Sequence, residues 1–273
     1  MVKMKKIIQI PLVLFLLLLL SNRSQAETSV KPDFQWQVGE ELVYSVKWAF
    51  VGLGSLRLQV LGSDTIHGRL VYHCRIYIDS NPSLPFVNIH DVYDSFIDAE
   101  GIYSHIFLSY EKKKDHILYT RYDFDYENHR IHIRIEKQRH EDGEVLLDST
   151  AYIPDKVLDS LSMLFFARAM VKNRANLDVS VFAYNSFEKT RINFTGEERW
   201  LKIRNTRAKS YYLDGRLKFI GIAGVKEDFK GWFSPDGQSV PLKAKMKAFV
   251  GSVTIELKKW SNWAGETIFF RKD

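Results

Sequence analysis

The chain has 273 residues, a formal charge of +6 and one cysteine. Four positive charges (Lys3, Lys5, Lys6 and Arg23) fall in the first 26 residues with no acid among them, so the remainder carries about +2, too little to support nucleic-acid binding. A lone cysteine cannot form an intrachain disulfide, so the fold must rest on its core, which a chain of this length can build.

Residues 1–26 read as a signal peptide: three lysines, an apolar run from Ile7 to Leu20, and Ser24-Gln25-Ala26 as a small-x-small cleavage site. The run is shorter than the roughly 20 residues a spanning helix needs. Cys74 is too far from it to act as a lipoprotein cysteine. The expectation is a periplasmic chain with no transmembrane segment after leader cleavage, an uncleaved anchor being the alternative. No linker or repeat interrupts residues 27–273, which read as a single β-rich domain.

Within it, period-2 alternation dominates. Leu42, Tyr44, Val46 and Trp48 share one face; so do Gly54, Leu56, Leu58 and Val60, then Tyr72, Cys74, Ile76 and Ile78. Gly52-Leu53-Gly54 lacks the third glycine of a dinucleotide fingerprint and reads as a glycine-bent hairpin. Residues 153–173, IPDKVLDSLSMLFFARAMVKN, break the pattern: Asp155 is placed to cap, and Leu158, Leu161, Phe165 and Ala169 recur at helical spacing. Asp214-Gly215 reads as a tight hairpin turn, and Ser234-Pro235-Asp236-Gly237 as a type I turn. Leu242, Ala244, Met246 and Ala248 alternate with Lys243, Lys245 and Lys247, and Val253, Ile255 and Leu257 close the series.

The fold class expected is therefore mainly β: a strongly curved antiparallel sheet of roughly ten strands, barrel or half-barrel, with one substantial helix on its concave side. A two-sheet sandwich is the alternative.

The stretch YTRYDFDYENHRIHIRIEK, residues 119–137, gathers Asp123, Asp125, His129 and His132, residue types of metal and acid–base sites. A two-residue turn at Asn128-His129 would set Tyr126 opposite Ile131, Phe124 opposite Ile133 and Tyr122 opposite Ile135. Asp125 would then meet His132, Asp123 Arg134 and Arg121 Glu136 on the other face. The cluster is thus explained as matched sheet, and no catalytic, cofactor-binding or metal residue is assigned. Hydrolase, zinc and phosphate-loop signatures are absent, and Cys74 reads as a small core residue.

The aromatics suggest another use. Tyr44, Trp48, Tyr122, Phe124 and Tyr126, with Leu161 and Phe165 of the helix, are candidates to line an apolar ligand site inside the curve.

The segments GEELVYSVKWAFVGLGSLRLQV (39–60), YDSFIDAEGIYSHIFLSYE (93–111), YDFDYENHRI (122–131), LDSLSMLFFAR (158–168) and GWFSPDGQSVPLKAKMKAFVGSVTIEL (231–257) resemble a family of bacterial exported proteins, domain of unknown function 3108. The family's tryptophan-serine-aspartate turn has Phe233 and an inserted Pro235 here. The resemblance implies no reaction or cofactor. The architecture is also similar to periplasmic lipoprotein carriers, whose half-barrels hold acyl chains, an analogy of fold only. The expected role is a periplasmic envelope module that binds lipid or another apolar or amphipathic ligand. The alternatives are an assembly factor offering a sheet face or edge to an envelope protein, and a glycan or ester hydrolase.

Overall fold

A computed structural model describes residues 34–84, 88–139, 142–217, 227–247 and 251–271. Residues 1–26, which read as a leader, and Ala248 lie outside them.

The strands are β1 (Glu41–Trp48), β2 (Val51–Ile66), β3 (Arg69–Ser80), β4 (His90–Asp98), β5 (Ser104–Lys112), β6 (Ile117–Asp125), β7 (Arg130–Arg139) and β8 (Asp142–Tyr152), then β9 (Arg174–Ala183), β10 (Ser186–Ile203), β11 (Thr206–Leu217), β12 (Glu227–Phe233), β13 (Pro241–Lys247), β14 (Ser252–Ser261) and β15 (Phe269–Arg271). The one α-helix of the described residues, α1 (Ser162–Met170), separates β8 from β9, and a short 3-10 turn (Gly265–Ile268) precedes β15. Among the described residues no helix is long and apolar enough to cross a membrane. The strand total exceeds the expected ten because short polar turns divide stretches, such as residues 174–217, that show weaker alternation than β1–β3.

Fourteen strands form one antiparallel path in the order β8-β7-β6-β5-β4-β3-β2-β1-β14-β13-β12-β11-β10-β9, and β15 adds to the start of β11. The sheet does not close by a ladder between β8 and β9, but it curls until its ends meet. Tyr122 of β6 lies 5.0 Å, ring to ring, from Phe182 of β9, although eleven places separate those strands in the path. Bulges at Val60/Gly62 and between Phe194 and Glu198, the latter with Gly196 at φ +62°, supply local bending.

The segment before α1 bridges the gap. Leu158 pairs in parallel with Val181, its N–H donating to Ser180 O and its carbonyl accepting from Phe182 N–H. On the other side Val157 O accepts from Ser104 N–H, and Ile153 N–H donates to His129 O.

Apolar and aromatic side chains of the described residues pack on the inner face. Trp36 enters from the N-terminal side and stacks between Tyr72 at 4.3 Å and Phe165 at 5.0 Å. Leu161, Phe165 and Ala169 pack with the inward residues of β1–β7, whereas Ala167 and Val171 pack with β9–β12. The helix is thus buried on two sides. It is fixed by an ion pair: Arg168 donates to both Glu40 oxygens at 2.7 Å, both side chains being 1% exposed, and also donates to Gln238 O.

Several local expectations are corrected. The helix is shorter than the apolar pattern suggested, and Asp159 takes the capping role given to Asp155: its carboxylate accepts from the N–H of Leu161 and Ser162. Leu158 consequently lies in the bridging segment instead of on the helix. Asp214-Gly215 is not a turn but the interior of β11, where a Cβ on residue 215 would come within 2.4 Å of the Phe229 ring; glycine is there for close approach. Gly52 and Gly54 lie inside β2, after a turn at Ala49-Phe50, and a Cβ on Gly54 would meet Asp79 O at 2.1 Å. The turn after β12 is set by Asp236, whose side chain accepts from Gln238 and Ser239 N–H, so Pro235 precedes it.

Candidate functional site

The 119–137 stretch forms the β6–β7 hairpin with the expected faces, but its register is displaced by two residues. Phe124 opposes Ile131, Tyr122 opposes Ile133, and Thr120 opposes Ile135. The cause is the loop. Asp125 accepts from the backbone and side-chain amides of Asn128 and from Arg130 Nε, which stabilises a four-residue turn over residues 126–129 with His129 at φ +52°. Asp125 therefore meets Arg130, not His132, and Asp123 meets His132 instead of Arg134. Because the slip is even, side-chain polarity is unchanged.

On the charged face Arg121 donates twice to Asp123, and His132 Nε2 lies 2.7 Å from Asp148 on β8. These contacts tie neighbouring strands. Among the described residues no three His, Cys, Asp or Glu side chains converge as a metal site.

The aromatic face leads to the gap. A cavity of about 230 Å³ lies between the inner faces of β4–β7 and the β9–β10 turn, lined by Tyr93, Phe107, Glu111, Tyr122, Phe182 and Tyr184 among others. Tyr93, Phe107 and Tyr122 form a row of nearly parallel rings, 6.1 and 5.5 Å apart. Phe182 stands across its end at 79° to Tyr122. Tyr122 donates to Asn185 Oδ1 at 2.8 Å, pinning the β9–β10 turn over the row. Burial pushes the Tyr122 phenol up to about 12, so it is a neutral donor at physiological pH. Ser109, Thr120 and Ser160 add hydroxyls.

Of the seven expected lining residues, Tyr122 borders this cavity. Phe124 is 2% exposed and packs at 6.3 Å from Phe182. Tyr126 donates to Ser104 O. Tyr44, Leu161 and Phe165 belong to the main buried cluster, and Trp48 is 41% exposed at the end of β1. Tyr93, Phe107 and Glu111 were not singled out from the sequence, although the alternation of β4 and β5 carries that information. Phe182, Tyr184 and Asn185 carry no such signal, because only the curl of the whole sheet brings them to β6.

Elsewhere, Cys74 is fully buried and burial holds its thiol well above its ordinary value. A second buried cluster supports the bridging segment: Ser95 donates to Asp159 Oδ2 at 2.5 Å, and the hydroxyls of Ser104 and Ser162 lie 2.8 Å apart. An open polar hollow of about 390 Å³ lies by Arg174, Asn193 and Arg199.

These features define a class: a curled, barrel-like antiparallel sheet whose open seam is spanned by a helix and by aromatic side chains. The family model described as protein of unknown function (DUF3108) matches residues 43–258, and the chain belongs to that family. Among solved structures, a β-barrel-like protein of domain of unknown function DUF1849 from Brucella abortus is similar in fold, with a TM-score of 0.57 at 10% identity, over 83% of this chain and 98% of that one. A Bacteroides fragilis protein with a YmcC-like fold overlaps more loosely, with a TM-score of 0.38 at 7% identity over 85% and 99% of the two chains. No curated protein sequence matches the chain.

Proposed function

We propose that this chain is an exported periplasmic binding module, not an enzyme, and that it takes a small amphipathic molecule in the aromatic cavity at the seam. The observation that carries this reading is the wall of Tyr93, Phe107, Tyr122 and Phe182 with hydroxyls at its margin, since small-molecule sites combine apolar walls with a few placed polar groups. The lining holds no histidine, cysteine, lysine or arginine; its one carboxylate is Glu111 and its hydroxyls are those of tyrosines, Ser109, Thr120 and Ser160. Export rests on the leader-like first 26 residues.

At about 230 Å³ the cavity is below the range of roughly 300–1,000 Å³ usual for drug-sized ligands, which suits a head group or chain end. Native mass spectrometry of protein taken from its own envelope tests the reading. A small adduct is expected on the parent and should vanish in Ala183→Trp, which puts a large ring into the lining; a clean mass for both would sink the proposal.

A second reading, an assembly factor, is favoured by β8. It ends the strand path, and its side chains Glu144, Val145 and Leu146 are exposed; among the described residues no strand pairs with its outer edge, which suits strand addition. Crosslinking in cells through residue 146 should then trap one discrete partner, and recovery of none counts against it.

A further inference from the structure

The cavity's electrostatics go further than its shape. Among its lining residues Glu111 alone carries a formal charge, and there is no cation. Asp91 lies directly across β4–β5 from Glu111 and contributes a second carboxylate at the same end. The positive group nearest to hand, Lys113, meets Glu111 Oε2 at 2.6 Å, but it is 41% exposed and does not border the cavity. Such an exposed pair holds only weakly, so a ligand can displace it. The local field is felt by the tyrosines: burial first, then Glu111 and Asp91, push the Tyr93 and Tyr184 phenols above their ordinary values.

The rings meet at a corner instead of forming two parallel plates, because Phe182 stands nearly perpendicular to Tyr122 while Phe107 lies nearly parallel to it. A flat aromatic ligand wants parallel plates. A compact cation is instead held by aromatic rings together with a carboxylate that completes the shell.

We infer that the amphiphile is cationic: an alkylammonium or quaternary ammonium group seated among Tyr93, Phe107, Tyr122, Phe182 and Tyr184, with Glu111 as its counter-ion. This rests on the binding reading above and specifies its chemistry. A phosphate or carboxylate head would meet Glu111 and Asp91 with no basic side chain lining the site to receive it.

The test is calorimetric titration of the full chain, less its leader, with hexyltrimethylammonium, hexanol and hexyl sulfate, all below micelle-forming concentrations. The cation should bind about tenfold tighter than the alcohol, with the sulfate weakest. Glu111→Gln should abolish that preference, and Lys113→Met, which frees the carboxylate, should strengthen it. Equal binding of alcohol and cation, or a preference that survives Glu111→Gln, overturns the inference and leaves the binding reading standing. Absence of binding by all three overturns both.

Discussion

Arg168 is the residue on which most of the interior converges. Its guanidinium bonds Glu40 twice and Gln238 O, and lies 5.1–5.2 Å from the rings of Phe165 and Phe34. Arg168→Met leaves Glu40 charged and buried, and should cost about 3–5 kcal/mol in urea unfolding, whereas pairing it with Glu40→Leu should recover most of that loss. Two other buried acids give a pH signature. Burial alone would raise Asp98 and Asp94, but hydrogen bonds from His105, Arg69 and the Gly101 N–H outweigh it at Asp98, and those from His73 and Arg75 outweigh it at Asp94. Both are therefore held below their unfolded values. Their contribution is complete above about pH 4 and is lost as pH falls through the lower folded values. Unfolding midpoints should drop on acidification below about pH 4, and Asp98→Asn should flatten part of that slope while lowering stability at neutral pH.

At the scale of elements, the two acids before α1 separate the pattern of the sequence from its outcome. Asp155 bonds only the adjacent Lys156 N–H, whereas Asp159 accepts from two N–H groups at the start of the helix. Asp159→Ala should cost about 1–2 kcal/mol by chemical denaturation, Asp159→Asn less, and Asp155→Ala within a few tenths. The sequence made the helix legible, but Leu158 at helical spacing hid its start, since that residue's neighbours are the β9 backbone. In the β6–β7 hairpin the faces were likewise legible, because side-chain parity depends only on alternation. Its register was not, because that depended on whether Asp125 would organise a four-residue turn. Asp125→Ala should consequently raise the hydrogen-exchange rate of the Asn128 amide while leaving the Ile131 and Ile133 amides protected; uniform loss along β7 would show that the turn does not set the register.

For the molecule as a whole, curvature decides what sequence reading reaches. Inward residues of β1–β7 could be named from alternation, and Tyr122 with them, yet the candidate cavity needs Phe182 and Tyr184 from the far end of the sheet. That juxtaposition is a property of fourteen strands together. It also brings Trp36 from before β1 onto Phe165 of the helix as a stacked pair inside the curve, 5.0 Å between ring centres. The same global closure predicts that a chain ending at Lys247, which lacks β14, loses its cooperative thermal transition in circular dichroism.

Two meanders, β1–β8 and β9–β14, are each built from strands consecutive in sequence, and they join where β1 lies against β14, with Glu41 opposite Ser261 and Trp48 opposite Val253. The most distant partners in the sequence thus lie near the middle of the sheet. Closing so long a loop adds little to the equilibrium cost but delays the contact, since non-local pairing repays its entropy last. A chain made from its N-terminus presents β1 early and its central partner only after β2–β13 have been made. For that interval β1 is an open edge flanked by apolar residues, the kind of template that recruits other chains. Aggregation during biogenesis, more than unfolding of the finished protein, is then the hazard this topology carries.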